Sequence, residues 1–164
     1  LDYKEDFMPV FISHRTADDT VARRIYDRLS GYPHYIKCYL DDFDDEAKNT
    51  TRITKVILDR IESCTHLVAV VTTNTKGSWW VPFEIGVARR APRIISSFTS
   101  LYTWELPEYL KEWPILKGQD AIDTFARFYK EGKKLIESQF YSLTKQITEV
   151  DSIHKRIKAA LSQY

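Results

Sequence analysis

The run His66-Leu67-Val68-Ala69-Val70-Val71-Thr72-Thr73 constrains this chain more than any other stretch. Its apolar residues are consecutive rather than alternate, so a strand built from them has no face to offer water. Such a strand belongs in the middle of a mainly parallel sheet with helices on both sides. The flanking sequence supplies both kinds of element. Met8 to Ser13 reads as strand one, and Ile36 to Leu40 as strand two. Between them Val21, Ala22, Ile25 and Leu29 form one helical stripe, while Arg23, Arg24, Asp27 and Arg28 face water. Thr16 or Asp18 is placed to cap that helix, Asp18 and Asp19 suit its positive first turn, and Gly31 ends it. Thr50 or Thr51 caps a third element carrying Ile53, Val56, Ile57 and Ile61, and Arg93 to Thr99 is a fourth strand. This βαβαβαβ order with short loops implies an α/β fold with a central parallel sheet and right-handed crossovers.

Charge and cysteine usage narrow the function classes. Lys and Arg number 24 against 23 Asp and Glu, which gives no general attraction to nucleic acid or to a membrane surface. No apolar stretch approaches the length of a spanning helix, and Leu1 to Val10 lacks a signal-peptide core. Cys38 and Cys64 have no CxxC or His spacing, so they read as small core residues of a cytoplasmic protein without a metal site.

Beyond Leu101 the alternation breaks. Tyr102, Trp104, Pro107, Tyr109, Trp113 and Pro114 suggest a loop with a helical turn or a short strand. Asp120 onward is helical, with Phe125, Phe128, Tyr129, Leu135 and Ile136 on one stripe and Gly132 as a possible bend. Leu143, Ile147, Val150, Ile157 and Leu161 then recur at near-heptad spacing with His154 in the gap, a stripe for self-packing or for association. The chain is expected to be one domain over 1–139, with 140–164 as a helical extension of it.

Ligands of parallel sheets sit beyond the carboxyl ends of the strands. That edge carries Ser13-His14-Arg15, Asp41 to Phe43, Thr72 to Asn74, and the stretch Ser78-Trp79-Trp80-Val81-Pro82-Phe83-Glu84-Ile85-Gly86-Val87-Ala88. A helix starting near Trp80 or Val81 puts Trp80 and Glu84 on one face, with Pro82 in the first turn. Gly86 is expected to let that helix approach the sheet, Arg89 and Arg90 to suit its C-terminal end, and Ala91-Pro92 to stop it. Glu84 stands among apolar residues, where a carboxylate is costly unless something satisfies it. It either bonds a neighbouring loop or does chemistry. The Asp41–Glu46 cluster lacks the spacing and glycine of a calcium loop, and reads as a solvated acidic loop. A phosphate-accepting receiver domain would need an Asp where strand three ends in Thr72-Thr73. His14 has no evident nucleophile partnership, which leaves a structural hydrogen bond as its alternative role. One acid is too little for ordinary sugar hydrolysis, which uses a pair. It suffices where the leaving group departs without a proton, as nicotinamide does from NAD. The protein then stabilises an oxocarbenium-like transition state and stacks flat rings, for which Trp79, Trp80 and Phe43 offer surface.

Phe11-Ile12-Ser13-His14, Tyr39-Leu40-Asp41-Asp42 and Ser78 to Gly86, in that order, resemble a TIR domain. The similarity runs from about Met8 to Thr99 and more loosely through Lys130, while 101–118 and the tail beyond Gln139 depart from the family pattern. The resemblance implies a flavodoxin-like three-layer fold. The Trp80-x-x-x-Glu84 spacing is similar to that of TIR enzymes that cleave NAD. By that likeness Glu84 takes the catalytic place and Trp80 stacks substrate. Ser13 and His14 lie in the loop after strand one, and Asp42 and Phe43 open a loop governing access and assembly. NAD enters as substrate, with no cofactor. The chain further resembles stand-alone bacterial TIR proteins of anti-phage systems such as Thoeris, which associate through TIR–TIR contacts and make a nucleotide signal for a separate effector protein. A non-enzymatic TIR scaffold and a nucleoside ribosyltransferase-like enzyme are the alternatives.

Overall fold

The computed structural model describes residues 10–42, 58–76, 82, 85–88, 92–138 and 140–164, with 41 and 42 described by their backbone. Among the described residues five parallel strands form one sheet: β1 (Val10–His14), β2 (Cys38–Asp42), β3 (His66–Val70), β4 (Ile94–Phe98) and β5 (Ile115–Leu116). Their spatial order is β2-β1-β3-β4-β5, the flavodoxin-like winding. β3 lies in the middle and all five of its residues are buried, as its unbroken apolar run demands.

Alternate residues feed two cores. Val10, Ile12, Val68, Val70 and Ile94 pack under three helices, α1 (Asp19–Ser30), α2 (Gly118–Glu137) and α3 (Leu143–Ala160). Phe11, Leu67, Ala69 and Ile95 point the other way, onto Ile61 and Cys64 at one helical stretch (58–63) and Ile85 and Ala88 of another (85–88). The α1 stripe is spent as its spacing predicts, with Ala22, Ile25 and Leu29 buried. The cysteines are also as expected: Cys64 is buried, and Cys38 is packed against the α1 core, where burial pushes its thiol up to about 12.

Several boundaries differ from the sequence reading, each for a local reason. Strand two starts at Cys38 rather than Ile36, because the Ile36 N–H turns back to the Leu29 carbonyl (2.8 Å) at the end of α1. β3 stops at Val70 because Thr72 closes a capping box over the turn Thr73–Thr75. The 101–118 region contains both expected features, short helical turns at Thr103–Glu105 and Glu108–Glu112 and the two-residue β5. Gly86 does not serve a close approach: it is exposed, and a Cβ there would meet no atom within 4 Å. Gly132 does not break α2, which runs unbroken through it. A Cβ at Gly132 would lie 2.7 Å from His66 Nε2, so the missing side chain makes room for a core histidine. The caps expected at Thr50 and Thr51, the stripe at Ile53, Val56 and Ile57, and the start of the Trp80 helix lie outside the described residues.

The near-heptad stripe is spent on the chain's own sheet. Val150, Ile153, His154 and Ile157 are buried against it, while Leu143 at its start is 60% exposed. This helix and the residues after it also cover an edge that β5 is too short to complete. The Ile95 N–H donates to His154 Nε2 at 2.8 Å, beyond the reach of the two-residue strand. The Gln163 carboxamide pairs with both backbone groups of Ile115, accepting from its N–H at 3.0 Å and donating to its carbonyl at 2.6 Å. Side chains thus stand where a further strand would have bonded.

Candidate active site

The winding reverses direction between β1 and β3, and the crevice at their carboxyl ends is where such sheets hold ligands. Ser13 and His14 are the last residues of β1, in the strand itself rather than in the loop after it. Both are buried, at 1% and 3% exposure, and as consecutive strand residues they face opposite layers. Ser13 shares the face of Phe11, toward the 85–88 helix; His14 shares the face of Ile12, toward α1. The His14 Nε2–H points to Asp19 Oδ1 at 3.3 Å, which is the structural bond anticipated for it. Its Nδ1 is buried without a hydrogen-bond partner among the described residues. Asp42 pairs with His14 across the β1–β2 ladder by its backbone. Phe43, Trp79, Trp80 and Glu84 lie outside the described residues. The segment that carries the last three lies between the turn Thr73–Thr75 and Ile85–Ala88, which, like Pro82 within the segment, is helical.

Asp18 has a different role from the one its position suggests. It occupies the N-cap position of α1, yet its side chain makes no capping bond. Both carboxylate oxygens reach across the crevice instead: Asn74 Nδ2 donates to Oδ1 at 2.8 Å and the Thr72 hydroxyl donates to Oδ2 at 2.8 Å. Asp18 is 3% exposed, so these bonds offset the cost of a buried charge, and the positive end of α1 adds to them. Arg15 Nη1 donates to the Asn74 carbonyl at 2.7 Å, a second tie between the same loops. Asp19 is left to hold His14 and to pair with Arg23, whose guanidinium lies 2.7 Å away and lowers the Asp19 carboxyl below its usual range. The sequence reading brought Ser13, His14, Thr72 and Asn74 to one edge but offered Asp18, as the alternative to Thr16, for a cap. The signal available was the pair Asp18-Asp19, of which a helix start needs only one acid.

Beside the Thr72 loop a cavity of about 210 Å³ opens between Thr72, Thr75, Pro82, Ile85, Leu106 and Leu110. Its walls are largely apolar, with Lys76 and Glu105 at 4.0 Å from each other on its border. Among the described residues no group of three or more His, Cys, Asp or Glu side chains is placed to hold a metal ion. Among them also, no helix is long and apolar enough to cross a membrane.

A five-stranded parallel sheet in the 2-1-3-4-5 order, with polar side chains gathered at its β1/β3 switch point, defines a flavodoxin-like α/β protein with a ligand edge. The family follows from the chain itself: the model of the TIR domain matches residues 10–136, and this chain belongs to that family. It is also similar to a protein of Bacillus cereus (strain MSX-D12) named "Probable 3' cyclic ADP-D-ribose synthase ThsB'", 27% identical over 128 residues. That match covers 70% of this chain and 64% of the relative.

Proposed function

We propose that this chain is an NAD-cleaving TIR enzyme in which Glu84 is the catalytic carboxylate and Trp80 stacks the substrate. The observation that carries the reading is the Trp80-x-x-x-Glu84 segment, entered from a loop tied to the turn after β1 at the switch point and left through a helix buried under the same sheet. The relative's name, a cyclic ADP-ribose synthase, supports the same substrate class. In the reaction the bond between ribose C1′ and the nicotinamide nitrogen breaks, and its electron pair neutralises the pyridinium. The leaving group therefore needs no proton. The carboxylate stabilises the cationic ribosyl centre that develops. Capture of that centre by water makes ADP-ribose, and capture by a hydroxyl of the same molecule makes a cyclic isomer. Ser13, His14, Asp42 and Phe43 complete the substrate edge in this reading, and NAD is consumed as substrate with no further cofactor. The product, a cyclic or otherwise modified ADP-ribose, signals to a separate effector protein in cytoplasmic anti-phage defence, and TIR–TIR association on activation shields the open edge from water.

Incubation of the purified protein with NAD, followed by mass spectrometry of the products, tests this directly. Nicotinamide release is expected, and Glu84→Gln should slow it by a factor corresponding to about 3–4 kcal/mol while leaving the fold intact. A folded Glu84→Gln protein that releases nicotinamide at the wild-type rate removes Glu84 from the site. A wild type that releases none removes the activity.

A further inference from the structure

We infer that Asp18 is a positioning residue of this site: its carboxylate clamps the β3 loop to the β1 loop across the switch point and so sets where the chain departs toward Glu84. The inference rests on the NAD-cleaving reading for the chemistry it serves, but the clamp is visible independently. An aspartate at a helix N-cap ordinarily bonds the backbone N–H groups of the first turn. Asp18 forgoes that and spends both oxygens on Thr72 and Asn74, residues 54 and 56 positions away. Thr72 is itself the cap of the turn Thr73–Thr75, accepting from the Asn74 N–H at 3.0 Å, while its own N–H donates to Thr75 Oγ1 at 2.9 Å. Asp18 therefore grips the residue around which the turn is built. From that turn only eight positions separate Lys76 from Glu84.

The physical consequence follows from the winding. In a sheet of this order the β1 and β3 loops diverge on opposite sides, one to α1 and the other to the 85–88 helix. Nothing in the strand ladder itself sets the spacing of the two loops above the last β1–β3 register pair, Ser13 with Ala69. The buried carboxylate does, with two charge-assisted bonds, and Arg15 reinforces it from the rim. A catalytic group held on one loop against substrate held on the other loses rate steeply when that spacing drifts.

A donor–acceptor exchange tests the clamp. Asn74→Asp places a second carboxylate against Asp18 and should break the grip. Adding Asp18→Asn should restore it with the roles reversed, the new amide donating to position 74 and accepting from Thr72. With NAD as substrate, Asn74→Asp is expected to lower kcat at least tenfold per folded molecule, with KM changed less than threefold. The double variant should recover to within about threefold of wild type. Rates are read well below each variant's melting temperature. Thr72→Val, which removes a single hydroxyl, replaces Asn74→Asp should the latter not fold. It is expected to lower kcat about threefold or more at unchanged KM. Wild-type kcat in a folded Asn74→Asp protein, or no recovery in the double variant, overturns the inference. If wild type itself releases no nicotinamide, the NAD reading fails, and amide exchange decides the clamp. Faster exchange across Thr72–Thr75 in Asn74→Asp, slowed again in the double variant, upholds it; unchanged exchange overturns it.

Discussion

His66 and Gly132 show how a single position acquires a requirement that no local pattern announces. The His66 ring lies against Phe125 and Tyr129, with centroids at 5.6 and 5.0 Å, and its Nδ1 is 2.7 Å from the Thr65 hydroxyl. A ring held on three sides cannot yield to a Cβ that would sit 2.7 Å from its Nε2 and 3.0 Å from Ile94 Cγ1. Gly132→Ala removes a flexible residue from a helix interior, worth about 0.5–1 kcal/mol in its favour, but overpacking at such contacts costs about 1–3 kcal/mol. Net destabilisation of about 1–2 kcal/mol is expected in urea unfolding. In a His66→Ala background the same change should cost less, since the shortest contact is then gone and Ile94 Cγ1 at 3.0 Å is what remains. From sequence alone Gly132 reads as a bend, because helix propensity is local and the neighbour that needs the space is 66 residues earlier.

At the scale of elements, the most consequential is α3. It carries an amphipathic stripe, and a stripe says only that one face is buried, against this chain or another. The observed packing assigns Val150, Ile153 and Ile157 to the chain's own core, and His154 to a backbone bond with β4. Because Nε2 accepts from the Ile95 N–H, the proton of the neutral ring is on Nδ1, on the side of Asp151 (3.9 Å). His154→Leu keeps the volume but strands a buried N–H, and should cost about 1–3 kcal/mol. Gln163→Ala should cost less, about 1 kcal/mol or below, because Ile115 is left partly within reach of water. Chemical denaturation of both variants checks the ordering; equal losses would mean that the edge bonds are not what α3 contributes. The strands were legible to within three residues, since period and apolar runs are intrinsic to the chain. Where they stopped was set by bonds such as Ile36 to Leu29, which need the completed turn.

At the scale of the whole molecule, one acid ties α2 to α1 and to the loop after α1. Asp123 of α2 accepts from Arg28 Nε and Nη2 of α1 at 2.7 and 2.6 Å, and from His34 Nε2 at 2.8 Å. The Arg28 guanidinium holds its carboxyl well below the usual range, at about 2 against an ordinary 3.8. A carboxyl depressed in the folded state stabilises above its unfolded value and stops doing so as pH falls through the folded one. Stability should therefore drop between about pH 4 and pH 2, and Asp123→Asn should flatten that part of the acid-unfolding curve. An unchanged curve would show that solvent screens the cluster.

What the sequence determined by itself was the architecture and the edge at which the polar side chains gather. An unbroken apolar strand admits only a two-faced burial, and alternating stripes admit only helices on both sides. It also singles out Trp80 and Glu84 as candidates, because a carboxylate among apolar residues stands out in any sequence. Only the tertiary structure decided that Asp18 bridges to Thr72 and Asn74 rather than capping α1. It alone gave the C-terminal helix to the chain's own sheet edge. The reason is common to both. Periodicity records which way a side chain points within its own element, whereas a hydrogen-bond partner is chosen by distance in space, and chains fold precisely so that positions far apart in order become near neighbours.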